Sequence, residues 1–192
     1  VGMVVRVARR LFTVEDYHRM REAGILSEDD RVELIEGEIL EMSPIGSRHA
    51  GTVARLVRIF SQRLGERAVV WPQNPIRLGV YSEPQPDVAL LRPREDFYEA
   101  EHPGPGDVWL VVEVADRSVE GDRGVKAPLY GRAGIPEFWL VDLAAGVVEV
   151  YREPGVEGYR SVRRLGPGET LAPLAFPDLA LKVEEILRSY PR

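Results

Sequence analysis

The chain has 192 residues, 44% of them hydrophobic and 29% charged, with a formal net charge of −6. That length allows one domain with a real core, residues 1–192 with its centre at about 31–151, and the acidic balance counts against a broad nucleic-acid-gripping face, whose affinity would come from neutralising phosphates. With no cysteine, disulfides and Cys-based zinc sites are excluded; no apolar run is long enough to span a membrane, Val1–Phe12 shows no signal-peptide core, and a cytoplasmic location is the default expectation.

Thr13 reads as an N-cap with Asp16 as its capping-box partner. A short helix should run to about Ala23, stop at Gly24 and, having few apolar residues, lie on the surface. Arg31–Ile35 and Glu38–Met42 flank Glu36-Gly37 as a β-hairpin. Alternation puts Val32 and Leu34 on one face and Glu33 on the other. Glu33 and Glu38 are each candidates for an acid in an active cleft; exposed hairpin charges are the alternative.

A helix should follow from Ser47 or Arg48. Val53, Leu56, Val57, Phe60 and Leu64 recur at three- and four-residue spacing, and Gly65 closes it. His49 stands at its start, where anions are favoured. Ala68–Trp71 reads as a strand and Ile76–Leu78 as a second, short one. Pro84 and Pro86 forbid a central strand, so pairing should begin at about Asp87. Arg92–Gly106 reads as an exposed loop near the cleft.

The stretch from Asp87 to Tyr130 carries the chemistry. Pro86-Asp87 enters the apolar run Val88–Leu91; Val108–Val112 leads into Glu113; Lys126 follows on the next segment. Taken singly, these are a strand-start acid, a strand-end acid and a surface lysine. Together they make the set that a divalent-metal phosphodiester hydrolase needs. Mg²⁺ takes hard oxygen ligands and keeps several waters, so one or two fixed carboxylates suffice. It polarises a phosphoryl oxygen and lowers the pKa of a bound water. An ammonium can orient the nucleophile or stabilise charge on the phosphate. Arg117, Arg123, Lys126 and Arg132 offer a local basic surface.

Pro128 lies two residues after Lys126, so the helix there should start near Ala127 or be kinked, leaving the Lys126 side chain free to swing. Beyond it, Glu137–Val141 and Val147–Tyr151 read as a strand pair, Tyr159–Arg164 as a third strand and Val183–Leu187 as a short terminal helix. The tail should extend the sheet or serve self-association. No P-loop is present, and His18, His49 and His102 are too scattered for a His-rich metal site.

Pro86-Asp87, Glu113-Val114 and Lys126 resemble the PD-(D/E)XK nuclease superfamily. More closely, the chain is similar to the Uma-type family of restriction-endonuclease-like proteins. The likeness includes Glu33-Leu34-Ile35-Glu36-Gly37-Glu38, Met42-Ser43-Pro44, Arg48-His49, Asp122–Lys126 and, most specifically, Tyr130–Asp142. It implies an α/β, restriction-endonuclease-like fold: a mixed central β-sheet flanked by helices, with an N-terminal β-hairpin and a C-terminal β extension. It implies a Mg²⁺-dependent endodeoxyribonuclease, with Mn²⁺ as a substitute, acting on nucleic acid, DNA in the first instance, and compatible with a homodimer. Asp87, Glu113 and the Val114 carbonyl would hold the metal. Lys126 would act on the attacking water or the phosphate, Glu33 or Glu38 would assist, and His49 would touch the phosphate.

Two positions depart from the pattern. Ala115 stands where the superfamily has its lysine, and Asp116-Arg117-Ser118 replaces a Ser-Pro-Ser-like run. Pro128, the missing Ser-Pro-Ser-like run and the acidic charge favour one rival, a non-catalytic binding or assembly module. A phosphoesterase acting on RNA or small nucleotides is the other.

Overall fold

The computed structural model describes residues 8–187. The start of the Val1–Phe12 stretch, judged above for a signal peptide, lies outside them.

Two apolar periodicities build the centre. Strands β3 (Val69–Pro72), β4 (Val88–Leu91), β5 (Val108–Ala115), β6 (Glu137–Asp142), β7 (Val147–Gly155) and β8 (Gly158–Leu165) form one sheet in that order. Only β5 and β6 run parallel. A parallel pair needs a long crossover, and helical segments between residues 119 and 132 supply it. Side chains alternate between the faces, except at a bulge where the β4–β5 register shifts between Leu90 and Leu91. Leu90, Leu110, Val112, Trp139 and Val141 pack on one side beneath helix α2 (Ser47–Leu64), with its Leu56, Phe60 and Leu64. Leu91, Val111, Phe138 and Leu140 pack on the other with Tyr130 and Ile135. The mixed α/β sheet flanked by helices matches the expected fold class.

Helix α1 (Val14–Glu22) carries the expected capping box. It is not a loosely attached surface helix, however. Val14 and Tyr17 are buried against Val32 and Leu34, so two well-placed side chains anchor it despite its polar composition. The hairpin pairs β1 (Val32–Ile35) with β2 (Glu38–Glu41) as a separate two-stranded sheet. Both faces of β1 are covered, and Glu33 is buried opposite the apolar pair.

Ile76–Leu78 is not a strand. Ile76 N–H donates to Pro84 O and Leu78 N–H to Ser82 O. Pro84 has no N–H to return, so no ladder develops.

The α-helix of the crossover begins at Ala127, as expected, but the crossover is already helical before it. It runs through α3 (Val119–Gly121), a π-helical turn (Asp122–Lys126) and α4 (Ala127–Arg132). Pro128 falls in the first turn of α4, where its ring meets the widened π turn instead of a regular α-helical carbonyl. α4 then packs against the β7–β8 hairpin. A Cβ on Gly131 would stand 2.6 Å from the Gly158 carbonyl carbon, so only glycine permits this approach.

β7 and β8 widen the sheet as expected of the C-terminal extension. The tail beyond them turns back instead. β9 (Thr170–Leu171) and β10 (Leu181–Lys182) form a short ribbon, and α5 (Val183–Ile186) follows. Phe176, Leu181, Val183 and Ile186 close the α2 side of the core.

The π turn is tied to the sheet through Arg123, whose guanidinium donates to both carboxylate oxygens of Glu149, at 2.8 and 3.2 Å. Burial raises the Glu149 carboxyl, but Arg123 and the Tyr151 hydroxyl outweigh it, and the net direction is down. A depressed carboxyl stabilises above its unfolded pKa and loses that contribution as pH falls through the folded one. Glu149→Gln should therefore cost about 1 kcal/mol at neutral pH, the value of a partly exposed charge-assisted bond. Urea unfolding across pH should show the gap to wild type closing below about pH 4.

Candidate active site

Asp87 immediately precedes β4 and Glu113 lies near the end of β5. Because these strands are antiparallel neighbours, the two acids meet at one end of the sheet. The Asp87 N–H points at Glu113 Oε2 from 3.4 Å.

The Pro-Asp pair has a mechanical role. The β4–β5 register sets Val88 opposite Val112, and continuing it sets Pro86 opposite Val114. Proline has no N–H to offer at that position. The N–H of Val114 is instead accepted by the Asp87 carboxylate at Oδ2, 2.8 Å away. N–H and C=O of one strand residue point to the same edge. The Val114 carbonyl is therefore directed to the Asp87 side of β5, where proline cannot bond it.

Lys126 is not free to swing. Its ammonium sits 3.0 Å from Glu113 Oε1 and 3.1 Å from Glu33 Oε1, with Asp122 Oδ1 at 3.9 Å. The π turn delivers it there. Burial pulls the ammonium down, but Glu113, Glu33 and Asp122 outweigh it, and Lys126 stays protonated. Burial and the neighbouring carboxylates push the Glu113 carboxyl well above its usual range, against the pull of Lys126.

His49 is held in the acid cluster. Its Nε2 lies 2.9 Å from Asp87 Oδ2, and Nδ1 is buried without a partner among the described residues. The hydrogen bond to Asp87 raises the imidazole, against burial. His49 thus orients a carboxylate, which the expected phosphate contact did not include.

The hairpin question resolves geometrically. Glu33 enters the cluster, with Gln85 N–H donating to its Oε2 at 3.0 Å. Glu38 is not brought there; it is half-exposed and pairs with Arg9 at 2.8 Å. Glu38 belongs to β2, which leaves the site after the turn.

Two members escaped the residue-by-residue reading of the sequence. Asp122 is buried in the π turn, where the Ser118 hydroxyl donates to its Oδ2 at 2.7 Å, and burial raises its carboxyl. The Tyr130 hydroxyl donates to Glu113 Oε1 at 2.7 Å, and burial followed by Glu113 pushes it well above its ordinary range. The four-residue steps Asp122, Lys126, Tyr130 were the available signal, since such steps share a helix face.

Among the described residues, no group of three or more His, Asp or Glu side chains forms a ready metal cage. The donor set nevertheless suits Mg²⁺, which needs few protein oxygens. Asp87 uses only Oδ2 in hydrogen bonds, leaving Oδ1 unpartnered among the described residues. Glu113 Oε2 has only the long contact from Asp87 N–H. With the Val114 carbonyl these are hard oxygens at one end of the sheet, amid more carboxylates than cations.

Removing one member of a buried charge cluster strands the others. Glu33→Gln should lower stability by about 1–3 kcal/mol, and Glu38→Gln should stay within about 0.5 kcal/mol of wild type. Chemical denaturation of the two variants in metal-free buffer measures the contrast.

Comparison with known proteins agrees with the fold. One solved structure, titled a putative nuclease belonging to DUF820 from Anabaena variabilis, superposes with a TM-score of 0.70 at 18% identity, covering 91% of this chain and 97% of that one. Its likeness shows the shared fold. No curated protein sequence matches. The family model Uma2, described as "Putative restriction endonuclease", matches residues 14–184, and the chain belongs to that family.

Proposed function

We propose that this protein is a Mg²⁺-dependent endodeoxyribonuclease that hydrolyses phosphodiester bonds at the Asp87–Glu113–Lys126 centre. The observation that carries the reading is the Lys126 ammonium, fixed between Glu113 and Glu33 at the end of the sheet where Asp87 and Glu113 meet. The family description and the nuclease title of the structural neighbour support it.

Asp87, Glu113 and the Val114 carbonyl would hold the ion. Bound there, Mg²⁺, or Mn²⁺ in its place, supplies polarisation of the phosphoryl oxygen and a more acidic water. The protein's own groups do the rest. Lys126 presents a fixed positive charge toward the attacking water and the charge building on the phosphate. Glu33, anchored by Gln85, holds that ammonium from the far side. Tyr130 and Lys126 both occupy Glu113 Oε1 and so leave its other oxygen facing Asp87. His49 and the Val114 N–H fix the Asp87 carboxylate in the same way.

The departure at Ala115 is compensated in space, because Lys126 reaches Glu113 from the crossover. The irregularity that Pro128 imposes is compatible with an assembled site, which weakens the argument for a non-catalytic module.

Supercoiled plasmid with Mg²⁺ or Mn²⁺ is the test. Wild type should nick it, EDTA should abolish nicking, and Asp87→Ala, Glu113→Ala and Lys126→Ala should each lose about 10²-fold or more. Nicking that persists in all three variants would place the activity elsewhere.

A further inference from the structure

A cleft opens beside the acid cluster. That cleft, about 440 Å³, is bounded by α1, the hairpin and the segment leading into β4. Asp87 lines one part of it, with Glu83, Gln85, His18 and His102.

Its floor is the run Glu83-Pro84-Gln85-Pro86-Asp87. A residue before proline is held extended, and proline fixes its own φ. An extended chain sends alternate side chains to one side. Glu83, Gln85 and Asp87 accordingly line the cleft, and the intervening prolines do not. Glu83 and Asp87 are four residues apart, about 13 Å along an extended chain.

Each end of this run holds a histidine. His49 meets Asp87 at the catalytic end, and His18 Nε2 meets Glu83 Oε1 at 2.7 Å at the other. Glu83 is almost fully buried, and its second oxygen has no partner among the described residues. A buried carboxylate needs a cationic or hydrogen-bonding partner, and His18 is the one it has. The His18 side chain is itself 41% exposed. The ring is thus fixed on one edge and accessible on the other. His102, carried by the 92–107 connection, packs edge-on against it with centroids 6.3 Å apart. Arg21 stands one helical turn from His18 on the cleft side, its guanidinium stacked on Tyr17. The remaining acids of the lining, Glu28 and Asp30, are exposed, where solvent screens them.

We infer that His18, held by Glu83 and flanked by Arg21 and His102, is a distal phosphate subsite that seats the nucleic-acid backbone beyond the scissile bond. The reading rests on the catalytic proposal above. Both ring nitrogens of an imidazolium donate, so a ring whose Nε2 faces Glu83 can offer its other N–H to a phosphate at the open edge. The substrate strand would run along the Glu83–Asp87 floor, and an extended strand would gain affinity that a mononucleotide ester cannot.

The experiment measures binding and cleavage separately. A fluorescein-labelled single-stranded 12-mer is titrated by anisotropy in Ca²⁺ buffer at several salt concentrations, and plasmid nicking is followed in Mg²⁺. His18→Ala should weaken 12-mer binding about 5-fold or more. It should also reduce the slope of log affinity against log salt by about 0.7, the signature of one lost phosphate contact. Glu83→Gln, which keeps the side-chain shape, should move both quantities the same way. Unchanged affinity and slope in His18→Ala overturn the subsite, and if wild type still nicks plasmid the catalytic reading stands. His18-dependent binding without nicking supports the subsite and sinks the catalytic reading. A wild type that neither binds nor nicks overturns both.

Discussion

Charge balance in a buried space governs this structure. Glu33, Asp87, Glu113 and Asp122 are all buried at one end of the central sheet. Lys126 and His49 are the basic groups in direct contact with them. Isolated carboxylates are costly to bury, and surplus negative charge is costlier still. The molecule limits that cost by saturating particular oxygens with donors: Val114 N–H and His49 on Asp87, Tyr130 and Lys126 on Glu113, Gln85 N–H on Glu33, Ser118 on Asp122. Burial, and after it the residual excess acid, raises the Glu113 carboxyl. That surplus of acid over base is what the cation proposed above would offset.

The local irregularities follow from assembling that cluster. Pro86 interrupts the β4–β5 ladder where Asp87 must turn its carboxylate onto Val114. The π turn at Asp122–Lys126 rotates the lysine toward Glu113 after the usual position has gone to Ala115. Such turns cluster at functional sites. Neither irregularity strengthens the sheet or the helix that carries it, and each aims a side chain.

What the sequence disclosed tracks the range of the interactions. The central strands, α2 and its Gly65 stop were legible, because period-two and 3.6-residue patterns are local and strong. Asp87 and Glu113 were legible as single acids bounding apolar runs. The choice between Glu33 and Glu38 was not, since alternation tells which face a side chain takes but not whether that face is covered. Here α1 and the body of the protein cover both sides of β1, and Glu33 finds Lys126 across 93 residues of sequence. The short strand expected at Ile76–Leu78 failed for a reason present in the sequence, the missing N–H of Pro84. Lys126 looked mobile because the rule for proline in helices assumes a regular α-helix, and the π turn lies outside that rule.

The pairing of histidine with carboxylate recurs at both ends of the Glu83–Asp87 run, but the two pairs differ in what surrounds them. His49–Asp87 is enclosed and joins the charge network, so it can only shape the acid it touches. His18–Glu83 reverses the arrangement: the carboxylate is enclosed and the ring is open to the cleft. The same chemical unit is thereby a positioning device in one setting and a presenting one in the other. Prolines at alternate positions keep the two a fixed distance apart, as a rigid strand-reading surface requires. Because that floor runs straight into Asp87, whatever binds along it is delivered to the carboxylates in one register.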